Sequence, residues 1–161
     1  MSISRQITGW VLWTGASLAA GYIGNLLSGV TESQFYQQLQ RPDWAPPPSV
    51  FGPVWITLYV MMGTAAWLVW RERGFAGART PLTLFLVHLL FNAAWTGIFF
   101  GLEAPGLALA EIVLLWGMIL ALVVLFWRIR VLAGALMVPY LLWVTFATVL
   151  TYSIWRLNPE L

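Results

Sequence analysis

Five apolar stretches, each about as long as a bilayer is thick, dominate the sequence. A membrane-spanning helix needs roughly 20 consecutive apolar residues, and these stretches cover about residues 7–29, 50–70, 81–101, 107–127 and 134–155. Only 9% of the residues are charged, against roughly 25% in a soluble domain, so the chain cannot cover a water-facing surface. The sequence predicts an all-α integral membrane bundle of five transmembrane helices, forming a single domain over residues 1–161.

The arginines are divided unevenly between the two sides of such a bundle. With five spans, the N-terminus and the loops 71–80 and 128–133 share one side, which carries Arg5, Arg71, Arg73, Arg79, Arg128 and Arg130. The other side carries Arg41 and Arg156. Cytoplasmic loops hold the excess of arginine, so we predict a cytoplasmic N-terminus. The first apolar stretch is longer than the roughly 7–15 residues of a signal-peptide core, which indicates a retained helix.

Several classes of chemistry are excluded by residue types that the chain lacks. It has no cysteine and a single histidine, His88, so thiolate and multi-histidine metal sites, disulfides and covalent haem are excluded. Arginines occur singly or in pairs rather than in a basic patch, which argues against a nucleic-acid partner. No acidic pair, nucleophile–base set or glycine-rich phosphate loop is visible. We therefore predict no metal and no resident cofactor.

The one long connection, residues 31–49, is rich in proline and aromatic residues. Prolines fix the backbone angle φ, so the run Pro46-Pro47-Pro48 makes this loop stiff. Long ordered loops are usually functional, and Tyr36 and Trp44 suit a lid over a site. The alternative is an aromatic anchor at the membrane interface.

The third apolar stretch has two chemically different faces when drawn as a helix with about 100° per residue. Within roughly 60° of Asn92 lie His88, Trp95, Thr96 and Phe99. Small residues lie roughly 100° to 180° away, at Ala93, Gly97 and Gly101. Polar side chains are costly in lipid, so we expect the first face to point inward. The small face predicts close helix approach, either as a dimer face or within the same chain.

The fifth apolar stretch carries an aromatic stripe with helical spacing. Its members are Trp143, Phe146, Ala147, Leu150 and Ile154. The inward tryptophans Trp95 and Trp143 offer large flat rings with one donor each, which suits a flat apolar ligand. On the same stretch, Leu150, Tyr152 and Arg156 fit a weak sterol-contact pattern. An ordinary interfacial belt explains the last two equally well.

Motifs in order along most of the chain, from about Tyr36 to Asn158, resemble those of the translocator protein family. That family is also called tryptophan-rich sensory protein (TspO/MBR) or peripheral benzodiazepine receptor. The motifs are Trp44-Ala-Pro-Pro, Gly52-Pro-Val-Trp55-Ile-Thr-Leu58-Tyr59, Phe91-Asn92-Ala-Ala-Trp95, Phe99-Phe-Gly101 and Pro139-Tyr-Leu-Leu-Trp143-Val-Thr-Phe-Ala147-Thr.

The resemblance implies a five-helix membrane bundle, usually dimeric, that binds porphyrins such as protoporphyrin IX in a pocket under the first loop. The family's ligand-contacting positions fall on Tyr36, Trp44, Trp55, Asn92, Trp95, Trp143, Ala147 and Leu150. We add Phe146 from the aromatic stripe. Sterols or other lipids are further implied ligands, through Leu150, Tyr152 and Arg156. The short C-terminus lacks the basic tail of animal members, which favours a bacterial cell envelope, inner or outer membrane.

Three functions remain open from the sequence. The first is a membrane receptor, sensor or transporter for tetrapyrroles. The second is an enzyme that degrades porphyrin in light, as the resemblance implies for some bacterial members, through Trp55 and Trp143. The third is a structural scaffold that acts through its small-residue face.

Overall fold

The structure, a computed structural model, describes residues 1–28 and 32–161, apart from the side chains of Glu32 and Ser33. The helices are α1 (Ile3–Ser28), α2 (Glu32–Gln38), α3 (Pro48–Gly77), α4 (Arg79–Thr96), α5 (Pro105–Ile129) and α6 (Val131–Leu157). A π-helical turn, Gly97–Gly101, continues α4. No strand occurs in the described ranges, so the all-α prediction is confirmed.

Four helical segments have the length and hydropathy of a membrane span. They are Pro48–Gly77, Arg79–Gly101, Pro105–Ile129 and Val131–Leu157. The predicted membrane-spanning class is therefore confirmed, whereas five spans are not. α1 has 26 residues, enough to cross roughly 30 Å of hydrocarbon, but threonine, serine and glycine dilute its apolar residues.

Residues 31–49 were predicted as a loop, but the structure has a helix within this range. Residues Glu32–Gln38 form α2, a helix of fewer than two full turns that hydropathy over a long window cannot detect. Its Phe35 and Tyr36 are buried, and this burial explains why so short a helix forms: most helical stability in proteins comes from packing an apolar face. The beginning of the predicted loop, residue 31, lies outside the described residues.

Three segments that were predicted on one side of the membrane meet at one end of the bundle. The indole N–H of Trp67 donates to the carbonyl oxygen of Gln6 at 2.9 Å. The guanidinium of Arg5 lies 5.7 Å from the ring centre of Trp70. Arg130 and Glu72 form an exposed ion pair at 4.0 Å. These contacts join the N-terminus, the end of α3 and the turn between α5 and α6.

α1 packs closely on the bundle because its buried residues are small. They are Gly9, Thr14, Ser17, Ala20, Gly24 and Ser28. At its crossing with α3, a Cβ atom on Gly63 would lie 2.5 Å from the Cα atom of Thr14. Small residues allow backbones to approach in this way within a bilayer.

α1 of the same chain packs against the predicted dimer face. A Cβ atom on Gly97 would lie 3.0 Å from the Cβ atom of Leu27, and one on Gly101 would collide with the Leu27 carbonyl oxygen. The backbone of Ala93 lies against Gly24. Ala93, Gly97 and Gly101 therefore form an intrachain contact, which was the alternative interpretation. Helical spacing alone could not distinguish a partner helix of the same chain from one of another chain.

Candidate ligand-binding site

A cavity of about 440 Å³ lies at the α2 end of the bundle, between α1, α3, the π turn and α6. Its volume is within the range of roughly 300–1,000 Å³ typical of small-molecule sites. Most of the predicted ligand-binding residues line it: Tyr36, Trp55, Trp95, Trp143, Phe146, Ala147 and Leu150. Trp44 and Asn92 are not among the lining residues.

α6 supplies one wall of the cavity. Trp143, Phe146, Ala147, Leu150 and Ile154 all line it, because residues three, four and seven apart lie on one face of a helix. Ala147, one turn beyond Trp143, leaves a recess between larger side chains. The helical spacing of this stripe was visible in the sequence.

Flat aromatic surfaces bound the cavity on several sides. Trp55 stacks on Tyr59 with ring centres 5.6 Å apart and meets Trp143 edge-on at 6.5 Å. Trp95 stacks on Phe99 at 5.2 Å with an interplanar angle of 22°. Aromatic pairs in these geometries are held in place by their quadrupoles as well as by burial. The resulting walls present planar aromatic surfaces to the cavity.

The π turn shapes the cavity where α4 ends. The amide of Leu102 donates to the carbonyl oxygen of Gly97 at 2.9 Å, a bond that spans five residues instead of four. Both Phe99 and Phe100 line the cavity and are buried. Such turns often occur at functional sites. The motif Phe99-Phe-Gly101 lies in this segment, but the sequence did not predict the π turn.

Two hydrogen-bond donors in the cavity lining have no acceptor. The indole nitrogens of Trp95 and Trp143 are buried and unpaired among the described residues. A buried donor without a partner costs about 1–3 kcal/mol. Each of these two cavity-lining residues therefore has an indole N–H whose hydrogen bond is unmet among the described residues.

Asn92 lies beneath the cavity, where it orients two tyrosines. The hydroxyl of Tyr59, which lines the cavity, donates to Asn92 Oδ1 at 2.6 Å. Asn92 Nδ2 donates to the hydroxyl of Tyr140 at 2.8 Å. Asn92 is therefore linked to the cavity only through the hydroxyl of Tyr59. The sequence placed Asn92 on the inward face, but could not reveal which side chains face it.

The network continues to His88. His88 Nδ1 lies within hydrogen-bond distance of the carbonyl oxygen of Phe85, which can only accept, so Nδ1 carries the proton. His88 Nε2 therefore accepts from the Tyr140 hydroxyl, 3.2 Å away. The side chains of Tyr59, Asn92, Tyr140 and His88 thus form one hydrogen-bonded network, which joins α3, α4 and α6 beneath the cavity.

Residues 32–47, which we call the cover segment, lie at one end of the cavity. Tyr36 lines the cavity and donates its hydroxyl to the carbonyl oxygen of Pro46 at 3.1 Å. The guanidinium of Arg41 lies 4.6 Å from its ring centre. Burial raises the pKa of the Tyr36 hydroxyl, and nearby Arg41 offsets part of that rise. The hydroxyl therefore stays a donor at neutral pH and braces the cover segment internally.

Trp44 belongs to the outer side of the cover segment. It is 48% exposed, and its ring centre lies 5.7 Å from that of Phe146. Trp44 therefore contacts a lining residue from outside instead of facing the cavity.

The three residues of the sterol-contact pattern do not share a surface. Leu150 is buried and lines the cavity, whereas Tyr152 and Arg156 are exposed on the outside of α6. A single sterol on the lipid-facing surface could contact Tyr152 and Arg156 without Leu150. The linear pattern does not account for the 100° rotation per residue of a helix.

This fold and cavity define a helical membrane protein with an aromatic-walled site between its helices. The TspO/MBR family matches residues 13–156, and the chain belongs to that family. It is 37% identical to the tryptophan-rich protein TspO of Chlorobaculum tepidum, over 98% of this chain and all of that one. It is 40% identical to the human translocator protein over 92% and 91% of the two chains. It is 37% identical to protein CrtK of Rhodobacter capsulatus, over 96% of this chain and 95% of CrtK.

Proposed function

We propose that this protein binds a flat, apolar tetrapyrrole such as protoporphyrin IX in the aromatic cavity and acts as a sensor or transporter. The observation that carries the proposal is a cavity with aromatic walls, in which the lining residues Trp95 and Trp143 have unpaired indole N–H groups. A porphyrin combines a planar apolar ring with carboxylate acceptors. The names of the relatives, sensory and translocator proteins, support a role in sensing or moving a ligand.

The proposal includes five membrane spans: the four candidate segments named above and α1. α1 has 26 residues, and its small residues lie against α3 and α4. A helix packed along two spanning helices is best accommodated inside the same bilayer. The arginine distribution supports a cytoplasmic N-terminus in a bacterial cell envelope.

A homodimer, proposed from the family resemblance, would need a contact surface other than Ala93, Gly97 and Gly101. Sterols or other lipids would contact the outer surface at Tyr152 and Arg156.

Titration of the purified protein with protoporphyrin IX in the dark tests the proposed function. We expect Trp95→Phe and Trp143→Phe each to weaken binding about tenfold, because each removes a donor whose bond to a ligand carboxylate contributes roughly 1.5 kcal/mol. Trp127→Phe is the matched control, since Trp127 is 47% exposed on the outer surface. Unchanged affinity in both cavity variants would contradict porphyrin binding at this site.

Ala147→Leu should weaken protoporphyrin IX binding by about one to two orders of magnitude. Ala147 is buried and lines the cavity, so the larger side chain would occupy space that the ligand needs, and overfilling typically costs about 1–3 kcal/mol. Val149→Leu provides the control, because Val149 is exposed on the opposite face of α6. Equal affinities for the two variants in the same fluorescence titration would exclude Ala147 from the binding site.

The alternative function is light-dependent degradation of porphyrin. Trp55 and Trp143 both line the cavity, with ring centres 6.5 Å apart, so both could contact one excited ligand. Illumination in the presence of oxygen, with porphyrin absorbance followed over time, distinguishes this activity from binding alone. Loss of absorbance that requires both tryptophans would favour the enzyme. Quenching of tryptophan fluorescence without turnover would favour the receptor. Absence of both quenching and turnover would favour a scaffold.

A further inference from the structure

Aromatic rings make several of the contacts between the cover segment and the bundle. Phe35 meets Phe99 at 5.9 Å and Phe100 at 6.4 Å between ring centres. Tyr36 meets Phe51 at 5.5 Å. Edge-to-face contacts of this kind contribute about 0.5–1.5 kcal/mol beyond burial. They attract the cover segment to the bundle, but they do not fix one backbone position as hydrogen bonds do.

Asn158 makes a different kind of contact with the cover segment. Its Oδ1 accepts from the backbone N–H of Gln40 at 3.0 Å, and its Nδ2 donates to the backbone carbonyl of Gln40 at 2.9 Å. Nδ2 also donates to the carbonyl oxygen of Ile154 at 2.8 Å. Asn158 is only 3% exposed. One side chain therefore binds both backbone groups of a single residue in the cover segment.

These bonds exceed what is needed to end a helix. Asn158 follows the last residue of α6, and its bond to Ile154 is sufficient to satisfy a terminal carbonyl. The two bonds to Gln40 reach across 118 positions of sequence. Gln40 lies between Tyr36, which lines the cavity, and Trp44, which contacts Phe146. The paired bonds therefore connect the end of α6 to the middle of the cover segment.

We propose that Asn158 is a positioning residue that holds the cover segment closed over the cavity, and that breaking its two bonds to Gln40 is the opening step for ligand exchange. The closing role stands on the geometry of Asn158 and Gln40. The exchange role rests on the proposed ligand-binding function. Loss of these bonds would leave the cover segment attached through apolar and ring contacts, so it would open more often without unfolding the bundle.

The natural absence of cysteine allows opening to be measured at a single engineered thiol. Leu39 precedes Gln40 and is 8% exposed, so a thiol in Leu39→Cys should react with a water-soluble maleimide only when the cover segment opens. In the Leu39→Cys protein, we expect Asn158→Ala to accelerate labelling about tenfold or more, as expected for the loss of two bonds of about 1 kcal/mol each.

Two further variants control the labelling experiment. Asn158→Asp keeps the acceptor for the Gln40 N–H but loses the Nδ2 donor, so we expect labelling faster than with Asn158 and no faster than with Asn158→Ala. Ser153→Ala removes a hydrogen bond to the carbonyl oxygen of Val149 on the same end of α6, away from Gln40, and should leave the rate unchanged. Equal labelling with and without Asn158→Ala would overturn the proposal. Loss of folded protein in both Asn158 variants would also overturn it, because Asn158 would then support the bundle itself.

Dissociation of protoporphyrin IX provides the second measurement. We expect Asn158→Ala to raise the dissociation rate about tenfold, and the association rate less, because Tyr36 of the cover segment is also part of the cavity wall. Faster labelling with no porphyrin binding to the unsubstituted protein would contradict the proposed function while leaving the closing role intact. Porphyrin binding with unchanged dissociation in Asn158→Ala would overturn the role in exchange.

Discussion

Gly63→Ala is expected to lower the free energy of unfolding by about 3 kcal/mol, the upper end of the usual cost of overpacking. The added Cβ atom would lie 2.5 Å from the Cα atom of Thr14 and 2.9 Å from its backbone nitrogen. Backbone atoms cannot rotate away as a flexible side chain can, so α1 and α3 would have to separate. Thermal unfolding in detergent, followed by circular dichroism, measures the loss.

Gly15→Ala is the matched control for this crossing. Gly15 lies on α1, next in sequence to Thr14, and a Cβ atom there would have nothing within 4 Å. Alanine also has a higher helix propensity than glycine by about 1 kcal/mol, so this variant should be as stable as the unsubstituted protein or more so. Equal stability of Gly63→Ala and Gly15→Ala would mean that α1 does not cross α3 at this position.

Tyr140→Phe is expected to cost about 2–4 kcal/mol of stability, because it leaves two buried polar groups without a partner. The hydroxyl of Tyr140 accepts from Asn92 Nδ2 and donates to His88 Nε2. Tyr140, His88 and Asn92 are all buried, so bulk water cannot replace the lost bonds. Chemical denaturation in mixed micelles would measure the difference.

Tyr152→Phe is the control for this variant, because it removes a hydroxyl from the same helix at an exposed position and should change stability little.

Tyr140→Phe should also weaken porphyrin binding modestly, since Asn92 would lose the partner that fixes its orientation towards Tyr59. If Tyr140→Phe unfolds at the same denaturant concentration as Tyr152→Phe, the network does not stabilise the bundle.

Membrane insertion and the aromatic wall of α6 were predictable from local chemistry. Apolar stretches of bilayer length require lipid as solvent, whatever the arrangement of the helices. The spacing of Trp143, Ala147 and Leu150 places them on one face of α6 because the helix rotates by about 100° per residue. These features depend on residues close together in sequence, and periodicity detects such relations directly.

Features that depend on distant residues were decided by tertiary packing. The face of Ala93, Gly97 and Gly101 predicts a close neighbour, but only the fold supplies α1 as that neighbour. Asn92 was expected in the cavity, yet Tyr59 and Tyr140 occupy both ends of its amide.

The features of the cover segment were likewise predictable from the sequence only in part. Its prolines predicted a stiff segment, and its aromatic residues left open either a lid or an anchor at the membrane interface. The formation of α2 and the bonds between Gln40 and Asn158 required the complete bundle. A sequence specifies which groups need a partner through their polarity and size, whereas the partner is determined by which helices meet in space.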